Sequence, residues 1–168
     1  MTRPIRIWIC AAYHPAYRCG GWAAVRVAQG RATGAAGGER GASARRMALS
    51  GLVAGLRDPS PGDQTSSSPI RIHTTSPDLA AFADFLAGME ASAQAGAPED
   101  DLDLWAQIAA AAKGRRLGLV HEPLAAGAAM GFACAWAELA RDKAKASGAF
   151  ASAIPQNNLA RIAWPDAE

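Results

Sequence analysis

The sequence predicts one α/β domain, a mixed β-sheet with helices packed on its faces. Three observations predict it. Ile5, Ile7 and Ile9 alternate with Arg6 and Trp8, and Ile70 and Ile72 alternate with Arg71 and His73, the period of two that marks a strand. Leu49, Leu52, Val53 and Leu56 recur at three- and four-residue spacing, the period of a helix. Strand-like segments crowd the first forty residues and later ones alternate with helical segments. An early meander followed by helical crossovers gives a mixed sheet.

The elements follow in order. Residues 5–10 form a first strand, and His14-Pro15 and Cys19-Gly20-Gly21 punctuate the loop after it. Trp22 to Val27 is a second strand. Residues 30–42, "GRATGAAGGERGA", read as a poor strand or a loose glycine-rich connection. Residues 43–57 are a helix, and 58–69, "DPSPGDQTSSSP", a breaker-rich surface loop. The strand at 70–75 leads into Ser76-Pro77-Asp78, a helix start with Ser as N-cap and Pro at the first helical position. Leu79, Phe82 and Leu86 mark the buried stripe of that helix. Residues 89–101 are a flexible acidic connector. A helix over 101–114 turns Trp105 and Ile108 inward, and 115–121 is a short strand. The last helix, 131–146, presents Phe132, Trp136 and Leu139 as its apolar side. Residues 1–150 form the domain, and 151–168 a tail, held by Trp164 or partly disordered.

At 168 residues the chain is large enough for a real core. It has no apolar run of membrane-spanning length, and its N-terminus lacks the apolar stretch and cleavage site of a signal peptide. The expectation is a cytoplasmic protein. Three cysteines, Cys10, Cys19 and Cys134, with no CxxC pair, fit a reducing compartment and argue against a zinc cluster. Net charge is +2 but unevenly spread. Residues 1–57 hold nine arginines and one acid, and the rest of the chain is net acidic. A basic half of this kind either meets an anion such as nucleic acid or forms a solvated surface.

"GGW" at 20–22, "RRMALSGLVAGL" at 45–56, "IRIHTTS" at 70–76, "DLWAQI" at 103–108 and "AELARDKA" at 137–144 carry a likeness. They occur in the order, and nearly at the spacing, of the landmarks of bacterial ribonuclease HI. The chain resembles that family over about residues 5–146. The resemblance implies a ribonuclease H-like fold with a mixed five-stranded sheet. Strands 1–3 would be antiparallel, strands 4 and 5 parallel to strand 1, and helices would cover both faces. It also implies cleavage of the RNA strand of RNA/DNA hybrids by two Mg2+ ions held on four carboxylates.

Those four carboxylates are missing from the matching positions. Where the family has Thr-Asp-Gly-Ser, this chain has Cys10. Where it has Arg-Met-Glu-Leu, this chain has Ala48 within Arg46-Met47-Ala48-Leu49. Thr75 stands for the aspartate of Thr-Asp-Ser, and Ala137 for that of Asp-Glu-Leu-Ala-Arg. The expectation is a catalytically silent protein with no metal cofactor, whose site closes over without the mutual repulsion of clustered carboxylates. Carried over from the family, hybrid contacts would fall on His14, Arg18, Arg45 and Arg46, with arginine suited to phosphate. Tyr13, Tyr17 and Trp22 are stacking candidates, with Trp22 better read as core. The acidic connector would repel a duplex.

Other readings are weighed beside this one. Cys10, His73 and Cys134 could supply a thiolate nucleophile, but nothing resembling an oxyanion site accompanies them, and core residues are the better reading. His121 reads as a surface-loop residue. Glu122 and Glu138 could hold a relocated metal, which would leave a hybrid ribonuclease. Opposed to nucleic-acid binding is a protein-interaction or homodimer module built on the emptied site.

Overall fold

A computed structural model describes residues 4–57, 68–88, 98–112, 115–123 and 127–165. Residues 58–67 of the expected surface loop and most of the acidic connector lie outside the described residues. The strands are β1 (Ile5–His14), β2 (Cys19–Ala28), β3 (Arg31–Arg40), β4 (Ile70–Thr74), β5 (Leu117–His121) and β6 (Phe150–Ala153). The helices are α1 (Ala44–Leu56), α2 (Pro77–Ala80), α3 (Ala83–Gly88), α4 (Leu102–Ala112), α5 (Ala128–Ser147) and α6 (Gln156–Leu159).

The sheet runs β5-β4-β1-β2-β3-β6. β1 to β3 are antiparallel, and β4 and β5 run parallel to β1. This is the predicted mixed sheet with one strand more. Residues 150–153, all but the first expected in a tail, pair antiparallel with Ala35–Gly38 of β3 and cover what would otherwise be an open edge. Ile154 and Leu159 are buried behind them, and Trp164 lies on Trp8 and Phe132. Among the described residues no helix is long and apolar enough to cross a membrane.

β1 is central and buried on both sides, so its alternation feeds two cores. Ile5, Ile7 and Ile9 meet Leu49, Leu52 and Leu56 of α1 and Ile108 of α4. Trp8 and Cys10 face the other way, onto Ala133 and Ala137 of α5. Each fully buried Ile or Leu stabilises the fold by about 1.5–3 kcal/mol.

α5 departs from the sequence reading. Its buried stripe is Ala129, Met130, Ala133, Ala137, Ala140 and Ala144, and Leu139 is 61% exposed. Small residues let this helix lie directly on the sheet. A Cβ on Gly21 would come 2.2 Å from the Arg141 nitrogen and 2.4 Å from the Ala137 oxygen. One on Gly38 would meet the Ala140 oxygen at 3.0 Å. On the opposite face, a Cβ on Gly20 would come 2.4 Å from Met47 Cγ of α1. This closeness explains why 30–42 is a full strand and not a loose connection. The absent side chains admit a helix, and β2 and β6 complete the ladder.

The helix expected from Ser76 onward is two. Ser76 caps α2 as predicted, accepting a hydrogen bond from the Leu79 amide. The chain then turns at 81–82 before α3. The break lets Phe82 and Phe85 both meet Trp105 edge-on, at 4.9 and 5.4 Å between ring centroids.

Two glycine variants separate close approach from chain entropy. Gly21→Ala is expected to lose about 3 kcal/mol or more of stability, because backbone and not a flexible side chain blocks the methyl. Gly131→Ala, exposed in the first turn of α5 with nothing near its Cβ, is expected to gain up to about 0.5–1 kcal/mol. Urea unfolding of both variants checks the contrast.

Candidate functional site

Parallel pairing of β1 with β4 sets Ile9 opposite Thr74. The next residues, Cys10 and Thr75, therefore emerge side by side where the two strands end their pairing. Cys10 Sγ lies 3.3 Å from Thr75 Oγ1, and Thr75 Oγ1 lies 4.0 Å from Cys134 Sγ of α5. Ala137, one turn beyond Cys134, is fully buried in the same cluster as Cys10. Three of the four positions singled out in the sequence thus converge. Ala48 is also fully buried, but in the α1 core among Leu49, Leu52 and Val53. Together the four positions present a thiol, a hydroxyl and two methyl groups.

The cluster is electrostatically uneven. Cys10 is lowered to about 7, chiefly by a hydrogen bond from the Cys134 thiol, against the opposing effect of burial. Cys134 is pushed up, chiefly because it shares that hydrogen bond and then because it is buried. One sulfur is thus the better thiolate and the other the proton holder. The charge belongs to the pair.

His73 does not join Cys10. Its ring stacks on Trp8 at 5.2 Å, its Nε2 accepts from Arg6 Nε at 3.3 Å, and its Nδ1 lies 2.5 Å from Glu122 Oε1. Arginine can only donate, so Nε2 is unprotonated and Nδ1–H donates to Glu122. Burial is the main cause that lowers the His73 pKa, with Arg6 and Arg71 adding to it and Glu122 opposing. Glu122 is thereby engaged, and Glu138 is exposed on α5. His121 ends β5 with its ring 3.3 Å from the Thr75 carbonyl. Among the described residues no three His, Cys, Asp or Glu side chains gather as metal ligands.

The expected phosphate contacts divide. Arg18 is exposed in the β1–β2 turn at φ 49°, beside exposed Tyr17, on which His14 packs edge-on at 4.8 Å. Lys145 of α5 lies 3.6 Å over the Tyr17 ring. Among the described residues Arg45 makes long ion pairs, 4.0 Å to Asp78 and to Asp100, and lies over Phe82. Arg46 is held differently. Asp103 at 2.9 Å, Asp101 at 3.1 Å and Glu39 at 3.0 Å share its guanidinium and raise its pKa, Asp103 most. The end of the acidic connector folds onto the start of α1, and the Arg46 donors are committed there. Trp22 is buried beside Met47, as read.

Two further arginines have internal roles that the sequence did not reveal. Arg26, buried in β2, donates to the Gly55 and Leu56 carbonyls at the end of α1. Arg40 of β3 donates to the Ala144 and Lys145 carbonyls at the end of α5. Each places a cation on the unpaired, partly negative end of a helix. Arg57 donates to Gln107. The basic half is therefore partly internal.

No protein-family profile and no curated protein matches this chain. Solved structures do. LC9-RNase H1, described as a type 1 RNase H with the type 2 active-site motif, is 16% identical, with a TM-score of 0.64 over 98% of this chain and 82% of that one. LC11-RNase H1, solved in complex with RNA/DNA hybrid, is 19% identical, with a TM-score of 0.61 over 83% and 98%. The N-terminal RNase H domain of a Mycobacterium tuberculosis protein is 18% identical, with a TM-score of 0.57 over 87% and 99%. The chain has the ribonuclease H fold.

His73 predicts how stability depends on pH. Its folded pKa lies below the unfolded value, so the unfolded chain takes up a proton first. Stability is complete above about pH 6.5 and falls as pH drops below it. Urea unfolding near pH 7.5 and near pH 5.5 checks this, with His73→Gln expected to lose less between the two.

Proposed function

We propose that this ribonuclease H-fold protein lacks metal-dependent hydrolysis and binds nucleic acid, with an RNA/DNA hybrid as the first ligand to test. The observation that carries the first half is the donor set at Cys10, Ala48, Thr75 and Ala137. Mg2+ takes hard, preferably anionic oxygen ligands. Two methyl groups, a thiol and one neutral hydroxyl do not fit it. No step of hydrolysis can be derived through such a site, where Cys10, Ala48 and Ala137 pack into the cores and Thr75 is half-buried beside them.

The binding half rests on the β1–β2 turn. His14, Tyr17 and Arg18 project there beside Lys145, and Arg45 stands at the start of α1 with only weak partners. An aromatic ring flanked by cations suits a sugar-phosphate backbone. LC11-RNase H1, of the same fold, is solved with an RNA/DNA hybrid. In this reading Arg46 supports the surface from behind, its charge already balanced.

A second reading is favoured by the acids around α1. Asp78, Asp100, Asp101, Asp103 and Glu39 surround Arg45 and Arg46, and such a collar opposes a duplex and suits a basic protein surface.

Fluorescence anisotropy of a labelled RNA/DNA hybrid at several salt concentrations, in magnesium, tests both halves. A rise that weakens steeply with salt and does not decay is the expected result. Arg18→Ala should weaken binding and lower the salt slope by about one, whereas Arg46→Ala should lower stability and leave the slope unchanged. A decaying signal means that the hybrid is cut, which ends the claim of silence. A flat trace puts the protein-binding reading first.

A further inference from the structure

Cys10 and Cys134 come from opposite ends of the chain and from different layers, β1 and α5, yet Thr75 Oγ1 is within 3.3 Å of one sulfur and 4.0 Å of the other. Both are free thiols. Cys10 is buried, Cys134 is half-buried, and so the pair is reached from the Cys134 side. Cys19, the remaining cysteine, is buried and lies outside the cluster. Cys10 and Thr75 stand where the resemblance would place metal-binding carboxylates, and Cys134 lies one turn before Ala137, which stands for a third. Sulfur there brings a chemistry that oxygen lacks, two-electron oxidation.

We propose that Cys10 and Cys134 form an oxidation site that closes to a disulfide between β1 and α5 when the protein meets hydrogen peroxide. Peroxide is small enough to reach a sulfur that larger oxidants cannot. The Cys10 thiolate attacks one peroxide oxygen. The O–O bond breaks, hydroxide leaves and takes up a proton as water, and Cys10 becomes a sulfenic acid. The Cys134 sulfur then attacks the Cys10 sulfur. The S–S bond forms, the S–O bond breaks, and the oxygen leaves as a second water with the proton that Cys134 gives up. The two thiols lose two electrons and two protons, and one peroxide becomes two waters.

The arrangement suits this sequence of steps. Cys10 carries the lowered thiol pKa, and its neighbour supplies the resolving sulfur. The Thr75 hydroxyl donates to the thiolate and then releases it as the sulfurs join. The bond would tie the central strand to the helix of the second core, crossing most of the chain. Such long closures constrain the unfolded state strongly. The inference does not depend on nucleic-acid binding.

The test uses the full reduced chain treated with equimolar hydrogen peroxide. Remaining thiols are then alkylated in denaturant, and the protein is digested with trypsin. The expected product is peptide 7–18 joined to peptide 117–141, lighter by two hydrogens, with Cys19 alkylated in peptide 19–26. The melting temperature should rise by several degrees and return with dithiothreitol. Cys19→Ser should behave like the parent, and Cys134→Ser should form neither the linked peptide nor the thermal shift. Three alkylated thiols after treatment, a sulfinic acid on either cysteine without the linked peptide, or a disulfide between two chains would each overturn the proposal.

Discussion

The structure depends on how closely two helices approach the paired glycines of β2. Gly20 faces Met47 of α1, and Gly21 faces the backbone of α5 between Ala137 and Arg141. A strand sends alternate residues to opposite faces, so two consecutive glycines open both faces at one level. α5 can settle only because it offers alanines, and β3 meets it with Gly38. Where the backbones lie this close, a methyl group has no room and the neighbours cannot yield.

That closeness sets the electrostatics. Helices pressed against a sheet bring their C-terminal carbonyls within reach of strand side chains. Arg26 takes the end of α1, and Arg40 takes the end of α5. At the other end of α1, Arg46 gathers three carboxylates, Glu39 of β3, Asp101 just before α4 and Asp103 in its first turn. Part of the charge that looks like an external basic patch along the chain is engaged within the fold, joining layers, though among these arginines only Arg26 is buried.

The same closeness shapes the candidate site. β1 and β4 end their pairing beside α5, so Cys10, Thr75 and Cys134 are pressed together. Four acids there would repel one another without cations. Residues that are small, neutral or weakly acidic relieve that constraint, with Cys10 and Ala137 joining the second core and Ala48 the first. The buried His73 beside it is balanced by Glu122 and Arg6, so this flank of the site holds paired polar groups rather than open ligands.

The sequence by itself determined the layer order, the orientation of the central strands and the apolar residues of β1, α1 and α4. Alternation and helical spacing are local, and Ile5 to Ile9 or Leu49 to Leu56 carry them without help. It also located Cys10, Ala48, Thr75 and Ala137 within a recognisable frame. Tertiary structure decided what depends on distance between segments. Residues 31–40 become a strand because α5 and β6 receive them, and Leu139 is exposed because close packing selects the alanine face of its helix. Arg46 turns inward because acids some fifty-five residues away fold onto it. Cys10 lies by Cys134 and not by His73 because His73 is in register with Trp8, one step back along the same face, where it stacks on that ring and is held by Arg6 and Glu122, while Thr75 and Cys134 of α5 lie at the level of Cys10. No local pattern encodes a contact between residues 10 and 134. It exists only once the sheet has formed and the last helix has closed over it.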